Sequence, residues 1–547
     1  MFTTLLFLYL QIAAPAQPHT PPSPADLCTI QGVVIRAGTG EPLHKAIVEA
    51  TPEEKKANQE EPEGGSAETD AMGRFEIKGL APGRYRLSAS HNGFVRQPYG
   101  QRALDGPGAM LSLSSGQKLP DITFQMIPAA VIAGHVYDED GEPTVYAQVS
   151  AMHYRYVKGQ RELVTSGMVQ TNDLGEYRLF GLSPGQYFVQ ATLRAYMFGN
   201  TKARRGYVPI YYPGVSDASR AAPISVRGGD ESTGVDISLQ PIHSFTVKGN
   251  VLTAGCGTTA GGAMVFLREQ SSNQGFGWMN PMRSANPQGA FEIPDVTPGS
   301  YYLFAVHNGE GKQCLARQAL EVTDADVDGI TITVVPGVEI KGRVRVDGQL
   351  DACLSCFKVN LLPKITATSF GAIDGGQPDS DGSFLLKDAS DGDFEVNVGS
   401  LPENYFIKSA RLDGVEVLIS GVTIDTKQAP TSLDILVSPN GASVDGVISK
   451  DHQPFPAATV VLAPDPPLRA VRRLFKSTTT DQNGHFVLQG LPPGDYKVFA
   501  WEKIEPGAYT SPEFLQPYES LGESVHITEG SHNAVQVDLI PAQDANP

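Results

Sequence analysis

The chain is short of positive charge. Its 42 Lys and Arg face 60 Asp and Glu, for a formal net charge of −18. Binding a phosphate backbone needs a basic footprint, and no stretch interleaves aromatics with Lys and Arg. A nucleic-acid partner is therefore excluded, and an anionic membrane surface is disfavoured for the same reason. Cysteine is scarce as well. Five in 547 residues are too few for a disulfide scaffold, although some can pair in an oxidising compartment. No apolar run reaches the ~20 residues that a membrane-spanning helix needs, and no long amphipathic helix is visible. What the chain has in excess is Gly and Pro, 57 and 41 residues, about 18% against a background of roughly 12%. Such an excess signals many turns between short strands. No Gly-X-Y period runs through it, so it is not collagen.

The first residues suggest a route. Leu5 to Ala13 form an apolar run of the length of a signal h-region, and Ala14-Pro15-Ala16 offers small residues for cleavage before Gln17. No Lys or Arg precedes Arg36, so the basic n-region of such a signal is missing. Leu27 before Cys28 argues against a lipid anchor. The expectation is a signal peptide over 1–16 and a Pro-rich linker over 17–27. The product would be exported: periplasmic, outer-surface or extracellular.

A three-part pattern then occurs five times. The first part is an alternating strand around a glycine: Gly32, Gly134, Gly249, Gly342 and Gly446. A glycine there predicts a half-buried strand that another backbone approaches closely. The second part is an Asx turn: Asp70 to Gly73, Asn172 to Gly175, Asn286 to Gly289, Asp379 to Gly382 and Asp481 to Gly484. Asx side chains bond their own backbone and glycine supplies positive φ. An inward-pointing aromatic follows in each: Phe75, Tyr177, Phe291, Phe384 and Phe486. The third part is Pro-Gly-x-Tyr at Gly83, Gly185, Gly299 and Gly494, with Asp391-Gly392-x-Phe394 in the fourth copy. Pro then Gly predicts a type II turn with Gly at positive φ.

The second and third glycines lie ten residues apart in all five copies. Each copy closes on an alternating strand ending in proline, at Pro128, Pro241, Pro336, Pro439 and Pro541. The expected modules are 28–128, 129–241, 242–336, 337–440 and 441–541, with a tail over 542–547. Each holds about seven short strands with turn signals every 8–12 residues, the signature of a small sandwich. The fold class is all-β: five tandem antiparallel seven-stranded Greek-key β-sandwiches of prealbumin-like type.

At these residues the chain resembles the carboxypeptidase regulatory-like domain family. The resemblance rests on Thr69-Asp70-x-x-Gly73-x-Phe75 with Gly79-Leu80-x-Pro82-Gly83-x-Tyr85. Copies two and five repeat it nearly intact. In copies three and four Asp295-Val296 and Asp388-Ala389 replace Gly-Leu. Relatives are the transthyretin-like and collagen-adhesin B-type sandwiches. The resemblance implies a Greek-key module used in tandem on secreted and envelope proteins of bacteria, non-catalytic where it accompanies carboxypeptidases. A looser fold-level analogy leads to starch-binding modules.

The search for chemistry leaves little. His307-Asn-Gly-Glu310 imitates a zinc pair, but His91-Asn-Gly93-Phe94 shows that it is the repeat's own turn. Asp324-x-Asp326-x-Asp328-Gly329 imitates a calcium loop, yet Val335 stands where the bidentate Glu belongs. Lys248 and Lys341 find no Asn in the closing strands for an isopeptide bond. The phosphate loop fails at Gln313, and no G-x-S-x-G occurs. Cys353 and Cys356 read as a local disulfide or two free thiols, because a metal site would want a second pair. Cys256 and Cys314 can bridge within module 3, leaving Cys28 over. No catalytic residue, metal or cofactor is assigned.

One feature leans toward binding. Modules 1, 2 and 5 carry an aromatic turn after the third-part strand, with Tyr99, with Tyr207, Tyr211 and Tyr212 near Tyr196, and with Tyr518. Flat rings stack on sugar faces; the alternative is that they brace the loop against its own sandwich. The sequence thus points to an exported, non-catalytic scaffold or interaction protein. Carbohydrate binding through these tyrosines, or service as an accessory to an envelope enzyme or transporter, are the alternatives. The partner would be an envelope protein or glycan. With almost no linkers, a monomeric rod of about 150–200 Å is expected from strand rise.

Overall fold

The computed structural model describes residues 26–53, 64–193, 205–257, 259–270, 282–309, 311–348, 353–364, 372–466 and 468–542. The proposed signal peptide, Tyr196, Glu310 and most of the linker and tail lie outside them. The described residues are almost entirely β, and the large buried clusters fall in five stretches: 28–126, 130–239, 245–334, 340–437 and 442–537. Each matches one copy of the sequence pattern. Fully burying a Val, Leu or Phe contributes about 1.5–3 kcal/mol, so each stretch carries its own core.

Module 1 shows the plan. Cys28–Arg36 lies between Arg74–Leu80 and the closing strand Lys118–Met126. The facing sheet has Gly65–Glu68, Ile47–Pro52 and Gly83–Ser90, to which Gln97–Pro98 and Met110–Leu113 also pair. One feature departs from an all-antiparallel sandwich. The first strand pairs antiparallel with Arg74–Leu80 but parallel with the closing strand. The same holds in the other modules. The chain reaches its closing strand only after crossing the facing sheet, and a parallel pair needs such a crossover.

The first-part glycine sits at this seam. A Cβ on Gly32 would fall 1.9 Å from the Ile122 carbonyl oxygen, and on Gly134 2.1 Å from that of Val235. Gly249 and Gly446 meet the closing strand in the same way, while Gly342 meets the Phe384 ring. In the second part, Gly73 at φ +71° accepts a hydrogen bond from Val34 N at 2.8 Å, and Asp70 Oδ1 caps the turn. The aromatics after these turns are buried.

The third part differs from expectation. Gly83, Gly392 and Gly494 have φ of +157°, +158° and +154°, far from the roughly +80° of a type II turn. Gly185 and Gly299 lie outside the left-handed range altogether. The left-handed residue comes four positions earlier: Gly79, Gly181 and Gly490 at +78°, +77° and +65°. In modules 3 and 4 Asp295 and Asp388 take that conformation at +59° and +52°. Asp is among the residues that tolerate it, so the replacement of Gly by Asp preserves the bend.

Modules 3 and 4 also diverge beyond their third part. In module 3, Lys312–Val322 pairs with Gly299–Gly309 and then with Val327–Pro336, merging both layers into one seven-stranded sheet. In module 4, Phe406–Leu412 joins the closing strand Ser432–Ser438. Disulfides join Cys256 to Cys314 and Cys353 to Cys356, and Cys28 is a buried thiol. The first bridge closes 58 residues, so chain entropy assigns it about 4 kcal/mol, and the three-residue loop far less. A reductant is therefore expected to lower the melting of module 3 strongly and of module 4 slightly, as read by hydrogen exchange.

The modules do not run out in line. Arg102 of module 1 lies 4.3 Å over the Phe455 ring of module 5 and donates to the Pro456 carbonyl at 3.2 Å. Gln482 accepts from Ser112 N at 3.0 Å and donates to Ser112 O at 2.7 Å. The side-chain amide thus acts as a strand partner for module 1. First and last modules touch, so the expected rod of five in series does not form; the array closes on itself.

A strap reinforces the closure. Gln148–Val157 and Gln160–Gln170 of module 2 form a long hairpin, turned by Lys158 at φ +50° and Gly159 at φ +80°. Positive φ at both central residues is the hairpin turn that matches strand twist. Its tip reaches modules 4 and 5. Tyr156 meets the edge of Phe514 at 6.0 Å, and Arg472 donates to the Lys158 carbonyl at 3.3 Å while pairing with Glu395 at 3.6 Å. Lys158 Nζ donates to the Lys364 carbonyl at 3.3 Å. Modules 4 and 5 are further joined at Glu529, which bonds Ser438 at 2.5 Å and Lys408 at 2.9 Å.

Candidate functional site

All five of Tyr99, Tyr207, Tyr211, Tyr212 and Tyr518 are half-buried. Tyr99 packs edge-on to Phe124 at 5.7 Å, and burial pushes its phenol up. Tyr207 donates to Glu139 Oε2 at 2.8 Å. Tyr207 and Tyr212 rest on the core of module 2. Burial raises the Tyr211 phenol, and its backbone forms a tight turn with Val215. Tyr518 packs on Trp501 and Phe514 at 5.8 and 5.4 Å. The contacts of Tyr99, Tyr207, Tyr212 and Tyr518 hold those side chains against their own modules.

The convergence is elsewhere, on the outer face of module 5. Alternate residues of Thr459–Pro464 and Gly494–Trp501 point away from the sandwich core. Val461, Ala463, Phe499 and Trp501 build a second apolar cluster there, with Ile504 and Leu515. Trp501 stacks on Phe499 at 5.3 Å. The segment from Pro512 to Leu521 lies over it and is held by Arg469, a buried guanidinium bonded to both Glu519 oxygens at 2.6 and 3.2 Å. A bidentate pair of this kind fixes orientation as well as charge. Tyr156 of the strap packs into the same cluster, and a Cβ on Gly159 would fall 2.9 Å from the Thr510 carbonyl oxygen. The sequence does carry a signal for the strap: Lys158-Gly159 between two alternating runs.

Two further arrangements bear on chemistry. His153 lies 2.5 Å from Ser166 Oγ through Nδ1 and 3.1 Å from Asp105 Oδ2 through Nε2. Asp105 comes from module 1 and the other two from module 2, so the trio ties the modules together. Lys248 pairs with Glu292 at 3.4 Å on the surface. Among the described residues no group of three or more His, Cys, Asp or Glu could hold a metal, and no helix is long and apolar enough to cross a membrane. Asp326, in the calcium-like run, accepts from Thr246 N at 2.9 Å.

The third-part tyrosines have a shared task. Tyr187 donates to Ser183 O at 2.9 Å and Tyr496 to Pro492 O at 3.1 Å. Burial pushes both up to about 12 from the ordinary phenol value of 10.0. A raised folded value favours the protonated phenol. The stability it gives is complete below the unfolded value near 10 and is lost as pH climbs through about 12. In an alkaline titration read by tyrosinate absorbance, these two should ionise only near pH 12, together with loss of β signal, and Tyr177, which burial raises further, should follow them.

Residues 29–118 match the model of the carboxypeptidase regulatory-like domain. This stretch of module 1 is similar to that domain. The match to this domain covers its Asx turn, its left-handed Gly79 and its first-part Gly32. No curated protein matches the chain. Among solved structures, the Streptococcal ancillary pilin is similar at 11% identity over 57% of this chain and 99% of that one, with a TM-score of 0.20. GBS52, the minor pilin of Streptococcus agalactiae, is similar at 11% identity over 39% and 96%, with a TM-score of 0.22. The Bacillus anthracis TIE protein aligns at 14% identity over 57% of this chain and 50% of its own, with a TM-score of 0.16. The matched stretch contributes Arg102 and Ser112 to the contact with module 5.

Proposed function

We propose that the chain is an exported, non-catalytic scaffold that holds its surface loops in fixed relation to one another. The observation that carries this reading is the closure of module 1 on module 5, strapped by the module 2 hairpin. Separate tethered binding modules would need no such contacts. The contacts between the modules bury aromatics against one another, as Tyr156 does against Phe514. The regulatory-like domain at the start and two disulfides accord with an envelope or extracellular setting. The partner is an envelope protein or glycan. No observation favours the glycan among the two, since the candidate tyrosines are half-buried.

The test has two arms. Saturable binding of the intact chain to a bacterial envelope fraction, weakened at least tenfold by opening the strap with Tyr156→Asp, is the expected result. Turnover of ester or peptide substrates that disappears in His153→Ala would overturn the non-catalytic reading.

A further inference from the structure

The seam between modules 1 and 5 is not completely filled. A cleft of about 140 Å³ opens there, between the 100–108 loop of module 1 and the outer face of module 5. Its lining holds three cations, Arg86, Arg102 and Lys503, against one carboxylate, Glu502. The protein as a whole has the opposite sign, with a net charge of −18. Glu502 is already engaged, with both oxygens 3.0 Å from Lys450 Nζ. Arg86 donates to Glu53 and to the Pro107 carbonyl, and Arg102 donates to the Pro456 carbonyl. A guanidinium has five donors, so these bonds leave donors over on both.

The floor adds a second observation. Thr479 lines the cleft, is 3% exposed, and its hydroxyl has no hydrogen-bond partner. A buried donor without a partner costs about 1–3 kcal/mol, so an acceptor placed there gains from it. Beside it Ile504 supplies an apolar wall. Planar guanidinium forks match a carboxylate, a hydroxyl donor completes its bonding, and an apolar wall suits a short carbon chain.

We infer that this cleft binds a small organic carboxylate, held by Arg86, Arg102, Lys503 and the Thr479 hydroxyl, and that its ligand bridges module 1 and module 5. Bound across the seam, such an acid stabilises the closed array by mass action. The inference stands on the cleft and not on the scaffold reading, and scattering tests the two separately.

The experiment titrates the intact chain with lactate and with lactamide, its neutral counterpart, by calorimetry and thermal melting at low salt. Inorganic phosphate is a third arm. Lactate should bind and raise the melting temperature, lactamide should do neither, and lactate binding should fall as salt is added. Lys503 is exposed, so Lys503→Glu should fold and scatter as the parent does while weakening lactate at least tenfold. Thr479→Val should weaken it with Lys503 intact. Equal binding of lactate and lactamide, binding of phosphate alone, no binding, or undiminished binding by Lys503→Glu with scattering unchanged would each overturn the inference.

Discussion

Gly134→Ala should unfold module 2 locally while leaving the other modules folded. The added Cβ would fall 2.1 Å from the Val235 carbonyl oxygen, with the Val235 carbonyl carbon at 2.5 Å. Both are backbone atoms of the closing segment, so no side-chain rotation relieves the clash. The seam must separate, at a cost of about 3 kcal/mol or more. Gly181→Ala is the matched control. Gly181 has φ +77° and open space around its Cβ position, so the cost is only that of the left-handed backbone, about 1–2 kcal/mol. Hydrogen exchange along Ala130–Tyr137 separates the two, because it reports each module by itself. Full protection of that strand in Gly134→Ala would mean that the seam is looser than its geometry shows.

Tyr156→Asp should open the array. The substitution removes an aromatic contact with Phe514 and puts a carboxylate against the cluster around Trp501. Burying an unpaired charge is strongly unfavourable, so the tip undocks rather than carry it in. The lost packing is worth about 2–4 kcal/mol by analogy with truncating a large buried side chain. Trp501 is 2% exposed, which makes it a reporter. In a Trp278→Phe background, the expected result is a red shift of its emission together with an increase in radius of gyration. A blue emission and unchanged size would show that the strap contributes nothing to closure.

Sequence and structure agree where the physics is local. The spacing of ten between the second and third glycines is the length of one strand plus its two turns. Gly73 and its counterparts are required by positive φ beneath the first strand, a constraint visible in a single Asx-x-x-Gly run. Gly32 was legible as a close approach, but not the direction of the approaching strand. A parallel closing strand and an antiparallel one place the same alternating residues inward. Asp295 and Asp388 read as decay of the motif until their backbone shows that Asp does Gly's work there.

The candidate site was less legible. Arg102 and Pro456 are 354 residues apart, and Ser112 and Gln482 are 370 apart. Neither pair carries a periodic signal, and neither occurs in the other copies. The aromatic turns did stand out, but an aromatic in a turn looks the same whether it faces a sugar or braces a loop. The contacts of Tyr99 with Phe124 and of Tyr518 with Trp501 depend on packing that spacing does not encode. Phe499 and Trp501 carry the strongest missed hint. They lie two apart on one strand face, opposite Tyr496 and Val498 of the core, and a strand apolar on both faces announces a second partner.

Small-angle scattering of the intact chain tests the closure most directly. Contacts of module 1 with module 5, and of the module 2 strap with modules 4 and 5, give a compact particle. Its maximum dimension should fall well short of the roughly 150–200 Å that five modules in line would reach from strand rise. A maximum dimension in that extended range, with the flat pair-distance profile of a rod, would contradict the closed array and the scaffold reading built on it.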